Sequence, residues 1–198
     1  LTASDSIDFI IAERGITLQT PSAGSVTNSS IASNAGIATT KLGTGAVLQV
    51  VQGTASTEFL VSSPTDNQLY FPSSNKLTVS ITPNSTSSKI LIHYLAGVRA
   101  TRLSTTGDTG AAMALKETIG GVSTDIRPSV PTYEEGIYIS NIGGGQNIRA
   151  RLSEQMLRSP STTSEITYEV GVSGYNTQEV RLMDGDSTGR IQVMEIAG

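Results

Sequence analysis

The chain has 198 residues, a net charge of −4 at pH 7 and a pI near 5.0, with 37% hydrophobic and only 15% charged residues. That is enough chain for one sizeable core, since a domain takes ~100–200 residues, but the acidic balance argues against a nucleic-acid binder, which needs clustered Lys and Arg to neutralise phosphate. The absence of cysteine excludes a disulfide framework, a thiolate zinc site and a cysteine nucleophile, and no run approaches the ~20 apolar residues of a membrane-inserted helix.

In chain order, the sequence opens on Leu1 rather than Met, as expected of a fragment or a processed product, and its early "DFIIA" lacks the basic flank of a signal peptide. "SIDFIIAERGITL" reads as a short strand or helix interrupted at Gly15. In "GSVTNSSIASNAGIATTKLG" the large apolar residues Val26, Ile31, Ile37 and Leu42 stand five or six apart, a spacing that fits neither a helix stripe nor a strand alternation. Apolar residues so thinly spread cannot form a core within one chain. Residues 1–44 are therefore either disordered or bury these side chains against copies of themselves, and we expect an extended attachment and trimerisation arm. Replacing Ile31 and Ile37 by Ser should then reduce the subunit number seen by light scattering while the isolated segment 45–198 stays folded. An unchanged mass would refute the arm.

From residue 45 onward the chain reads as strands separated by turn chemistry. "AVLQVVQG" is followed by "NKLTVSITP", where Leu77, Val79 and Ile81 alternate with polar residues, and then by "SKILIHYLAGVRA"; the last two are expected to be antiparallel neighbours. "AAMALKETI" turns at Gly120 and Gly121 into "VSTDI"; "GIYISNI", "NIRARLSEQML", "EITYEVGVSG", "EVRLM" and "RIQVMEI" complete the series. Eight to ten short strands of this kind predict an all-β, antiparallel β-sandwich or jelly roll over 45–198. Arg149, Arg151 and Arg158 form the nearest basic grouping and are expected on the solvent face of one strand.

The chemistry-bearing candidates are few. Asp184, Asp186, Thr188, Gly189, Ile191 and Glu195 occupy positions one, three, five, six, eight and twelve of a calcium-loop pattern, yet "EVRLM" before it is strand-like and only Ile196, Ala197 and Gly198 follow. An EF-hand needs a helix on both sides, so the expectation is a hairpin turn between two strands, with a looser calcium site at Asp184 and Asp186 as the alternative. His93, the single histidine, lies in "KILIHYL" and reads as structural; no G-x-S-x-G elbow or P-loop is present, and no catalytic, cofactor or metal residue is assigned. Glu134 and Glu135 are adjacent and would point to opposite faces of a strand, unlike a glycosidase pair. "NIGGGQNI" reads as a flexible loop, and the sequons at Asn28 and Asn84 are of a frequency expected by chance. Tyr133, Tyr138, Tyr168 and Tyr175 lie in or beside loops and strand ends, where a ring can meet a sugar or protein partner, though each reads first as a half-buried strand tyrosine. The loops around Tyr133, Gly144 and Tyr175 are the candidate receptor contacts.

"GAVLQVVQGTASTEF", "LTVSITPNSTSSKILI", "MALKETIGGVSTDI", "SPSTTSEITYEV" and the terminal "IQVMEI" resemble, in order and spacing, a domain of tail-fibre and other virion structural proteins of bacteriophages, including marine and cyanobacterial phages. "SITPNSTSSKILI" and "VMEI" are the most specific pieces, and the stretch from Tyr133 to Arg158 departs from the family's pattern. The resemblance implies a β-rich, usually trimeric module on the virion surface with a role in host attachment, contacting other virion proteins through the N-terminal arm and a host glycan or protein through its loops. It carries over no catalytic residues, and it places Glu195 in a terminal strand motif. A tail-fibre or receptor-binding module is the leading expectation. A capsid decoration protein is the runner-up, and a glycan depolymerase is disfavoured by the lack of a carboxylate pair.

Overall fold

The computed structural model describes residues 31, 41–127, 136–185 and 187–198. Val26, Asn28, Ile37, Tyr133, Glu134, Glu135 and Asp186 lie outside the described residues. One unit runs from Thr39 to Gly198; in the other, Leu1–Ala38, Ile31 alone is described, and its side chain is exposed.

Twelve strands are present among the described residues: β1 (Val47–Ala55), β2 (Phe59–Ser62), β3 (Leu69–Tyr70), β4 (Leu77–Ile81), β5 (Lys89–Arg102), β6 (Gly107–Ile119), β7 (Val122–Arg127), β8 (Ile137–Ile142), β9 (Gln146–Arg158), β10 (Ile166–Tyr175), β11 (Glu179–Leu182) and β12 (Gly189–Ile196). They make two antiparallel sheets of six strands each. β9 takes one whole edge of β5, from Ile90 to Arg102, so β12 and β11 share the other edge end to end, with β1 and β2 outside them. In the second sheet β6 takes one edge of β10, leaving β4 and β3 in line on the other, while β7 and β8 lie in line beyond β6.

Four pairs of strands are thus collinear, and twelve strands reduce to eight rows. Numbered along the chain, the rows run 1-8-3-6 in one sheet and 2-7-4-5 in the other, the topology of a jelly roll. The sequence reading of a sandwich or jelly roll holds, and its count of eight to ten fits the rows better than the strands.

Two pairings differ from the expectation. β4 pairs with β10 and β5 belongs to the opposite sheet, so the Thr82–Ser88 turn carries the chain across the sandwich and does not close a hairpin. β11 and β12 are likewise not hairpin partners. Both run antiparallel to β5; the chain leaves the row after Leu182, where the Met183 and Asp184 backbone N–H groups donate to the Gly97 carbonyl, and rejoins it at Gly189.

The core follows from strand alternation. Ile90, Ile92, Tyr94, Ala96, Val98 and Ala100 of β5 face inward and are fully buried, meeting Met113, Leu115, Ile166, Tyr168, Val170 and Val172 of the second sheet. Each fully buried Ile, Leu or Val contributes about 1.5–3 kcal/mol. β1 approaches β4 so closely that a Cβ on Gly53 would collide with the Thr78 backbone carbonyl.

Two polar triads tie the sheets together. The Tyr94 hydroxyl donates to Glu154 at 2.9 Å, and Glu154 also accepts from Arg127 of β7 in the other sheet. Conversely, Tyr168 and Glu117 belong to the second sheet and Arg158 reaches them from β9, with Tyr168 Oη to Glu117 at 3.0 Å and Arg158 to Glu117 at 2.9 Å. Burial, together with the adjacent carboxylate, pushes both phenols well above their usual range, so they act only as donors. Tyr168 is thus the strand tyrosine its alternation implies, here fully buried, whereas one reading is corrected: Arg158 points inward, opposite to Arg149 and Arg151.

At the base of the sandwich Glu195 is 0% exposed and accepts from Ser88 Oγ (2.6 Å), Asn84 N (2.6 Å), Asn84 Nδ2 (2.7 Å) and Gln49 Nε2 (2.7 Å). Burial pushes its carboxyl up, but the bonds from Ser88, Gln49 and Asn84 outweigh that and hold it below the usual range. "SITPNSTSSKILI" and "VMEI" therefore meet in one clamp, and the Asn84 amide is committed to it. From Gly189 to Glu195 the chain is an extended strand about 20 Å long, which cannot curl back as position twelve of a calcium loop must.

Candidate functional site

The two ends of the sandwich differ in kind. At the base, Gly45 N donates to the Ala197 carbonyl and Ala197 N to the Ala46 carbonyl, both at 2.8 Å, so residues 41–46 enter beside the last strand; Leu42 is exposed there. The opposite end gathers four connections: 63–68, 103–106, 143–145 and 176–178.

Arg102 organises this upper end. It is almost fully buried and donates to the Thr105 carbonyl (3.1 Å), Thr105 Oγ1 (2.5 Å), the Asn176 carbonyl (2.6 Å) and Asn176 Oδ1 (3.1 Å), using its fork to staple two loops. Its carbonyl accepts from Gly145 N at 2.7 Å, which adds a third. Gln178 Oε1 accepts from Leu103 N and Ser104 N, and Asn176 N donates to Asp66, so the fourth joins. Asn67, Asn141 and Asn176 hold positive φ, a conformation Asn tolerates better than most residues. Loops tied in this way are set before any partner arrives.

On this scaffold sits a tyrosine pair. Tyr138 on β8, 39% exposed, lies with its ring centroid 6.2 Å from that of Tyr175 at the end of β10. A bulge places Ser140 and Asn141 opposite Asp108, which accepts from Tyr138 Oη (2.8 Å) and Asn141 N (2.9 Å). The Asn141 N–H first, then the Tyr138 hydroxyl and the charge of Arg102, hold the Asp108 carboxyl below the usual range. The result is an aromatic face with a fixed carboxylate beside it, able to stack on an apolar ring face and accept from a hydroxyl. Nothing in it activates a nucleophile.

Gly144 and Tyr175 do come together at this end, whereas Tyr133 lies outside the described residues. The "GGG" stretch is a packed turn and not a loose loop: Gly144 lies against the Ser104 backbone and Gly145 has φ 81. Sequence reasoning passed over Arg102 and Asp108, whose neighbours in "TRLSTTGDTG" carry no motif. His93 is half-buried on the outer face of its sheet and shares a hydrogen bond of 2.9 Å with Ser153 Oγ. Asp184 is committed to Arg99 at 3.1 Å and Arg149 at 3.8 Å. Among the described residues no group of three His, Cys, Asp or Glu side chains could hold a metal.

No family model and no curated protein matches the chain. Among solved structures, it is similar to the VP2 subviral particle of infectious bursal disease virus, with 13% identity and a TM-score of 0.34 over 76% of this chain and 33% of that one. The infectious bursal disease virus Gx strain gives 16% identity and 0.31 over 76% and 32%. The CBM22-1 xylan-binding domain of Paenibacillus barcinonensis Xyn10C gives 10% identity and 0.29 over 78% and 97%. The chain spans about a third of the length of the viral proteins.

Proposed function

We propose that this chain is a virion structural protein, a tail-fibre or receptor-binding module that binds rather than turns over its target. The observation that carries this reading is polarity. The chain enters the jelly roll beside Glu195 at one end, and a pre-set cluster of loops with the Tyr138–Tyr175 pair occupies the other. Such a head is held from below and presents its recognition surface outward. Exposed Ile31 and Leu42 accord with an arm that assembles a homotrimer or grips another virion protein.

A second reading, capsid decoration, draws on a different feature. Leu157, Leu91, Met194 and Val50 stand in register across β9, β5, β12 and β1 on the outer face of one sheet, forming an apolar row whose ends are exposed. A head lying side-on against a capsid would cover that row.

One experiment separates them: gold labelling of phage particles with an antibody against 45–198, paired with host-cell binding by the purified chain and by Tyr138→Ala. Label at the tail periphery, with cell binding lowered about tenfold or more by the substitution, is the expected result. Label over the capsid, or cell binding indifferent to Tyr138, would move the function to the apolar row.

A further inference from the structure

We propose that the outer face of the β5 sheet carries a second binding site, a groove that takes the carboxylate or sulfate groups of an acidic polysaccharide. The groove, of about 320 Å³, is lined by Gly97 of β5, Arg149 and Arg151 of β9, and Asp184, Gly185 and Ser187. Cations are concentrated here in a protein of net charge −4: Arg99, Arg149, Arg151 and Arg181 come from three strands, with Arg190 of β12 nearby.

The groove is built rather than incidental. Asp184, its side chain only 6% exposed, anchors Arg99 and reaches Arg149, whose side chain is 62% exposed. Arg151 is braced by donating to the Thr188 carbonyl at 3.0 Å. Arg99 Nε, Arg181 Nε and Ser187 Oγ, all buried and each without a hydrogen-bond partner among the described residues, lie in this region. Buried polar atoms left unpaired are uncommon, and each calls for an explanation in its surroundings. Guanidinium groups presented side by side suit an anionic oxygen pair.

A saccharide fits better than a nucleic acid because of what surrounds the cations. Glu58 and Glu179, both bonded to Arg181, bound the cationic patch on one flank, so anionic contacts are confined to the groove. Along the other runs a neutral track on β9, from Arg151 through Ser153 to Gln155, continued across the sheet by His93, Gln192 and Gln52 in register. From Arg149 to Gln155 this track is about 20 Å long, and its amides and hydroxyls pair naturally with sugar hydroxyls.

The site lies on a side face, apart from the upper loops, so it can be tested independently of where the protein sits on a particle. The full chain would be titrated by calorimetry with alginate, heparin and neutral dextran oligosaccharides of equal length. Saturable binding of alginate, heparin or both, weakening with salt, is expected, and whichever binds identifies the anionic group. Arg149→Gln with Arg151→Gln should lower that affinity by more than about tenfold with an unchanged melting temperature, while Lys89→Gln, which removes a charge at the base, should leave it within about twofold. Absence of saturable binding to either acidic oligosaccharide, equal binding of dextran, or affinity that survives the double substitution would each overturn the proposal.

Discussion

Glu195→Ala is expected to lower the unfolding free energy by about 3 kcal/mol in urea titration, a cost out of proportion to a residue one turn from the chain end. The substitution strands the Ser88 hydroxyl, which is 1% exposed, and frees the Asn84 backbone N–H that fixes the turn between β4 and β5. That turn carries the chain from one sheet to the other, so its loss loosens both. Glu195→Gln keeps the volume and one acceptor but sets an NH2 against donors, and should cost about half as much. The pH dependence carries the same signature. A carboxyl held below its unfolded value of ~4.3 contributes stability that is fully present above that pH and is lost as pH falls through the folded value. The wild-type urea midpoint should therefore drop on acidification below about pH 4 more steeply than that of Glu195→Gln. Parallel curves for the two proteins would show that the clamp does not hold charge.

The second large effect is steric. Gly53→Ala should cost about 2–3 kcal/mol, because the added methyl meets the Thr78 carbonyl and the Ile191 side chain, and backbone cannot swing aside as a flexible side chain would. β1 must withdraw from β4, which opens one margin of the sandwich. Gly43→Ala is the matched control, since nothing lies within 4 Å of a Cβ placed there. Equal denaturation midpoints for the two substitutions would mean that the sheets do not approach as described.

The class of fold was legible because alternation records which face is buried. Leu77, Val79 and Ile81, like Ile166, Val170 and Val172, all point inward as their period requires. Partner choice was not legible, since a period of two says nothing about which strand lies alongside. Hence β4 was placed against β5 when the Glu195 clamp turns it across to β10, and β11 was placed against β12 when β5 is long enough to hold both. One error had a signal in plain view: Arg158 stands seven residues after Arg151, an odd interval that assigns it to the opposite face. At the upper end, Gly144 and Tyr175 were singled out by residue type. Arg102 and Asp108 were not, because what they do depends on four loops that meet only in the folded chain. The arginine groove was hidden for the same reason: its cations come from separate strands.

The position of the entering chain has a mechanical consequence. β1 starts at the base and runs upward with β12 as its ladder partner from Val47 to Ala55. A pull on the chain at Gly45, resisted at the upper loops, acts along the strand axis and loads the bonds of that ladder in shear, so that many share the force and must yield together. The same pull applied across the strands would open them singly, like a zip. A jelly roll pulled in this orientation withstands tension best along its strands, and its weakest direction lies at right angles to the line of pull.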